Sequence, residues 1–97
     1  MAKESQFQSD LKTEIQQRFP GAVIMKQNAK LYQGVPDYLV LWKKHWALLE
    51  CKKEENAPHR PNQDKKVEMF NNMSFSSFIF PENKEEVLNA MERSFKA

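Results

Sequence analysis

Cysteine is almost absent. Cys51 is the only one in 97 residues, which excludes an internal disulfide and fits a reducing compartment. Two histidines complete the soft-ligand inventory, and no His/Cys set has the spacing of a zinc site. No apolar run approaches the roughly 20 residues that span a bilayer. The opening Met1-Ala2-Lys3-Glu4-Ser5 carries no signal-peptide core, so the expectation is a soluble, cytoplasmic protein with no membrane partner. A dominant charge sign is lacking too: 15 Lys and Arg face 13 Asp and Glu, and the net +2 does not by itself announce a polyanionic partner. Repeats and low-complexity segments are missing. The length predicts one domain over residues 1–97, near the lower limit for a self-sufficient core, so self-association is expected.

What is present is concentrated in the middle of the chain. Tyr38-Leu39-Val40-Leu41-Trp42 and Trp46-Ala47-Leu48-Leu49 are apolar runs joined by Lys43-Lys44-His45. A two-residue turn at Lys43-Lys44 pairs Trp42 with His45, and counting outward sets Asp37 opposite Glu50. Opposed residues of antiparallel strands share a face, with Cβ atoms about 4.5–5.5 Å apart. Lys52 lies two residues beyond Glu50 and joins them, while Cys51 points the other way. An acid and a lysine two apart on a strand often form only a solvated edge, where ion pairs contribute little. Here Glu50 continues directly from an apolar strand, and two opposed carboxylates repel unless a cation or a proton sits between them. A hard cation with oxygen ligands resolves the conflict.

The surrounding pattern predicts an α-β-β-β-α-β-α order, a mixed α/β sheet flanked by helices. Phe7, Leu11, Ile15 and Phe19 recur at helical spacing, Ser5 with Gln8 suggests a capping box, and Pro20-Gly21 ends the helix. Residues 22–25 read as a short strand, and residues 28–34 as a polar loop whose Gly34 permits a tight approach. The proline-broken stretch 54–61 reads as a loop, with a second helix from near Asn62 carrying Val67 and Phe70. Ser77 to Phe80 reads as the fourth strand. Asn83 with Glu86 starts a last helix striped by Val87, Leu88, Met91 and Phe95. Trp42 and Trp46 are expected close together across the hairpin, as core or interface. Phe75, Phe78 and Phe80 are expected in the core or at a dimer surface.

Gly34-Val35-Pro36-Asp37 followed by Glu50-Cys51-Lys52, in this order of elements and with Gln63 opening the next helix, resembles the PD-(D/E)xK nuclease superfamily. It is similar in particular to the small VRR-NUC nucleases of phages and to Holliday junction resolvases. The resemblance spans nearly the whole chain and implies a restriction-endonuclease-like αβββαβ(α) core. It also implies a Mg²⁺-dependent DNA endonuclease, structure-selective on branched DNA such as a four-way junction. Mn²⁺ would substitute, the assembly would be a homodimer, and the setting would be the host cytoplasm if the chain is phage-encoded. Asp37 and Glu50 would hold the metal through their carboxylates and Cys51 through its backbone carbonyl, while Lys52 would orient or deprotonate the attacking water or stabilise phosphate charge.

Two supporting residues have alternatives. Glu14, at the rim of the first helix's apolar stripe, is either solvated or, as the family's first-helix acid suggests, reaches the metal directly or through a water. Gln63 either satisfies backbone groups of its helix turn or positions Lys52, the water or the phosphate. Lys53, His59, Arg60 and Lys65 are candidate DNA phosphate contacts, with a solvated surface as their default. The rival functions are a non-catalytic DNA-binding module of the same fold, which intact Asp37, Glu50 and Lys52 argue against, and a plain structural or interaction domain with a polar hairpin end.

Overall fold

The computed structural model describes residues 2–28 and 30–97. Helix α1 (Ala2–Arg18) is followed by strands β1 (Val23–Lys26), β2 (Tyr38–Trp42) and β3 (His45–Cys51). Helix α2 (Gln63–Met73), strand β4 (Phe75–Ile79) and helix α3 (Lys84–Lys96) complete the chain. The four strands lie in sequence order, with β1, β2 and β3 antiparallel and β4 parallel to β3. A parallel neighbour requires a crossover, and α2 supplies it.

The alternation along β3 decides which face each helix covers. Ala47, Leu49 and Cys51 point with Tyr38, Val40, Trp42 and Ile79 into one apolar core, closed by Leu11, Ile15 and Phe19 of the α1 segment and Val87, Leu88, Met91 and Phe95 of α3. Leu48, Glu50 and Lys52 therefore face the opposite side, where α2 lies and Gln63 reaches Glu50. The apolar stripes of the first and last helices fall where their spacing predicts. Leu11, Ile15, Phe19 and the four α3 residues are buried, and Phe7 packs against the core partly exposed.

The hairpin register is the one counted from the sequence, with Trp42 opposite His45 and Tyr38 opposite Leu49. Lys43 takes the positive φ of 58° that the two-residue turn demands. That same register separates the two tryptophans. Trp42 lies in the core against Phe19 and Phe95, while Trp46, one residue past His45, turns to the α2 face and meets Phe70. The expectation that they pack together is corrected by the pleat.

Other boundaries shift for local reasons. Ser5 is inside α1 and not at its cap, since Ala2 already begins the helix; Gln8 instead accepts a 2.8 Å hydrogen bond from the Tyr38 hydroxyl. The fourth strand starts two residues earlier than expected, because Phe75 and Ser76 pair with Ala47 and Leu48 and the Ser76 hydroxyl donates to the Leu48 carbonyl. It stops at Ile79, where the Phe80 N–H leaves the ladder for Asn83 Oδ1. Asn83 does sit at the N-cap of α3, but its side chain serves Phe80 and Phe78 rather than the helix. Gly34 has φ +85°, and a Cβ there would lie 2.9 Å from Lys66 Cγ, so glycine lets the 30–35 segment seat against the start of α2.

Candidate active site

Where β2 begins and β3 ends, the sheet brings four polar side chains together. Asp37 precedes β2 and its Oδ2 accepts the Cys51 N–H at 2.9 Å, which fixes the carboxylate at the end of the hairpin. Glu50 is 5% exposed. Its Oε2 accepts from Gln63 Nε2 at 3.0 Å and lies 3.9 Å from Lys52 Nζ. Lys52 Nζ donates to Gln63 Oε1 at 2.8 Å and to the Pro58 carbonyl at 3.0 Å. Gln63 Oε1 also accepts the Arg60 N–H at 2.8 Å. Both alternatives weighed for Gln63 thus meet in one amide, which orients Lys52 and Glu50 and satisfies a backbone donor of its own turn.

Glu50 is an electrostatic misfit as it stands. Burial pushes its carboxyl up to about 7, and the neighbouring Asp37 pushes the same way against the smaller opposing pull of Lys52. Glu50 Oε1 is buried with no hydrogen-bond donor. A carboxylate oxygen in that position needs either a proton shared with Asp37 or a cation. Among the described residues no three His, Cys, Asp or Glu side chains converge as a metal-binding group. The two carboxylates would therefore need backbone oxygen to complete a protein ligand set. Cys51 can provide it: an extended residue presents its N–H and C=O at one strand edge, and the Cys51 N–H already faces Asp37. All the donors are oxygens, which suits a hard divalent ion and not a thiophilic one.

A cavity of about 660 Å³ opens over this cluster, lined by Asp37, Glu50, Cys51 and Lys52 together with Lys53, His59 and Arg60 of the following loop. His59 stacks on Phe78 at 4.1 Å between ring centroids, and its Nδ1 is 2.8 Å from Asp64 Oδ1. The 54–61 segment is thus pinned at its far end by a stacked ring and at Pro58 by Lys52. Sequence reading did not find these anchors, although a histidine five residues before an acid at a helix start is a usable signal.

Two expected site residues lie elsewhere. Glu14 faces α3, with its oxygens 2.8 Å from Lys84 and 3.4 Å from Arg18, and the Lys84 hydrogen bond holds its carboxyl below the usual range. The reason is topological: α1 covers the sheet face opposite to the one bearing Glu50, so a mid-helix acid meets α3 instead of the carboxylate pair. Lys65 is exposed and lines a separate surface depression with Tyr32, Gln33 and Lys66. Lys53 and Arg60, by contrast, border the carboxylate cavity.

No protein-family model and no curated protein matches the chain. Its backbone does match a solved structure named VRR_NUC domain, with a TM-score of 0.59 over 97% of this chain and 95% of that one. The fold is that of the VRR_NUC domain. At 22% identity the likeness carries the architecture, a restriction-endonuclease-like α/β core, and not the residues of a site. On this fold the chain places an acid pair, a lysine and a glutamine at one end of its sheet. No helix among the described residues is long and apolar enough to cross a membrane.

Proposed function

We propose that the chain is a metal-dependent endonuclease that hydrolyses phosphodiester bonds in DNA, with branched DNA as its preferred substrate and Mg²⁺ as its ion, Mn²⁺ substituting. The observation that carries the reading is buried Glu50 with half-buried Asp37 close to it and Lys52 beside it, Glu50 Oε1 being left without a donor. The residues fit a hard cation held by Asp37, Glu50 and the Cys51 carbonyl. Such an ion supplies positive charge against the phosphate and acidity to a water molecule. Lys52 holds its ammonium beside the cation site, aimed by Gln63 and Pro58, where it orients the attacking water or balances charge on the phosphate. Gln63 keeps Glu50 and Lys52 in register through its two amide ends. Lys53 and Arg60 at the cavity wall attract the flanking backbone.

The shared fold with a VRR_NUC domain supports the nuclease class, and the small size supports a homodimer in which two sites meet two strands. Val23 and Met25, about half exposed on the edge strand β1, are apolar surface that such a dimer would cover. Cys51, buried and in no disulfide, accords with a cytoplasmic setting.

Labelled four-way, flap, duplex and single-stranded DNAs incubated with the purified protein test this directly. Mg²⁺ or Mn²⁺ should support cutting, fastest on a branched substrate. Ca²⁺ should support binding with little hydrolysis, because it is larger and less demanding in geometry. Equal cutting in EDTA would defeat the metal assignment, and binding without cutting under every ion would favour a non-catalytic module.

A further inference from the structure

The cavity over the carboxylates has a second arm. A neighbouring cavity of about 290 Å³ is lined by Asp37, Glu50, Arg60 and Gln63 as well, but it continues in the other direction to Lys30, Gln33 and Gly34. The two cavities therefore meet over the acid pair and form one groove, with Lys53 along one arm and Lys30 along the other. The wall carrying Lys30 is anchored. Lys66 Nζ is 3.1 Å from the Tyr32 hydroxyl, Tyr32 meets Phe70 edge-on, and Val35 N–H donates to the Tyr32 carbonyl at 3.1 Å. Gly34 lies against Asn62 and Lys66, so this segment is seated on the start of the same helix that supplies Gln63.

We propose that Lys30 is a substrate-positioning residue that holds a backbone phosphate of the bound strand on the side of the cut opposite to Lys53. The inference rests on the phosphodiesterase reading and extends it to the path of the strand. The electrostatic logic is simple. A strand whose scissile phosphate lies over Asp37 and Glu50 brings its neighbouring phosphates close to two acids, and a cation on each side offsets that repulsion. The sequence gives Lys30 no motif to mark it, and only the fold carries it to the far end of the groove.

The test uses the full chain in Ca²⁺ and a DNA whose cut has been mapped in Mg²⁺, with single phosphates on either side of the cut neutralised one at a time as methylphosphonates. Lys30→Ala should weaken binding roughly 3- to 10-fold and reduce the slope of log affinity against log salt by about 0.7–0.9, the loss of one phosphate contact. One methylphosphonate position should weaken the wild type but leave Lys30→Ala unaffected. The corresponding position for Lys53→Ala should fall across the cut. Lys12→Ala, on α1, serves as the control lysine. If Lys30→Ala keeps the wild-type salt slope, or if both variants respond to the same side, the inference is overturned while the nuclease reading stands. A wild type that neither binds DNA in Ca²⁺ nor cuts it in Mg²⁺ overturns both.

Discussion

Glu50→Gln is expected to make the metal-free protein more stable at pH 8 while removing hydrolysis. In the unfolded chain Glu50 loses its proton near 4.5, whereas in the folded chain burial and Asp37 hold it to about 7. Between those values the folded state binds the extra proton, so stability falls as pH rises from 4.5 through 7 and stays reduced above. The gap corresponds to a penalty on the order of 3 kcal/mol. Glutamine has the same shape, carries no charge, can accept from Gln63 Nε2 and can donate to Asp37. Thermal melts in EDTA should therefore show the variant higher in Tm by roughly 12–24 °C at pH 8, given about 4–8 °C per kcal/mol for a domain of this size. The advantage should vanish near pH 4.5. Mn²⁺ should then raise the Tm of the wild type and leave the variant's unchanged. A variant less stable than the wild type at pH 8 would show that Glu50 is not strained by its surroundings.

Lys52→Ala is expected to lower kcat roughly 10³-fold, within the range for loss of a positioned proton-transfer group. DNA affinity in Ca²⁺ should change by less than about threefold, because one interior ammonium contributes little beside the groove's exposed cations. The fold should persist: Gln63 Oε1 keeps the Arg60 N–H, and the lysine is tied to the loop by one bond to Pro58. Lys52→Arg should not rescue, since a planar fork cannot place one compact donor between Gln63 Oε1 and the Pro58 carbonyl. Single-turnover cleavage with matched circular dichroism checks both; a rate within tenfold of the wild type would remove Lys52 from the chemistry.

The hairpin was legible because its register follows from one turn, and every pairing from Trp42–His45 outward to Tyr38–Leu49 is then arithmetic. The α1 and α3 stripes were legible because helical spacing leaves little choice of buried face. The helix-to-sheet assignments were not. Glu14 could be placed at the rim of α1 with Arg18 four residues on, but only the packing of α1 against α3 brings Lys84 to its other oxygen. The separation of the two tryptophans is implicit in the register, which sets Trp46 one residue past the partner of Trp42 and so on the opposite face. The His59–Phe78 stack and the place of Lys30 on the wall of a cavity that the acid pair also lines depend on loops whose paths the chain's local pattern does not encode. The strand β4 began early because its partner Ala47–Cys51 was long enough to pair with it, a property of the neighbour and not of Phe75 itself.

The most direct measurement is calorimetric titration of the protein with Mn²⁺ at pH 6 in two buffers of different ionisation heat. An ion seated on Asp37 and Glu50 must displace the proton that Glu50 retains below about 7. Close to one proton should be released per ion bound at pH 6, falling towards none at pH 8.5, with both heat and proton release abolished by Glu50→Gln. Binding without proton release at pH 6, or binding that survives Glu50→Gln undiminished, would place the ion elsewhere and contradict the account.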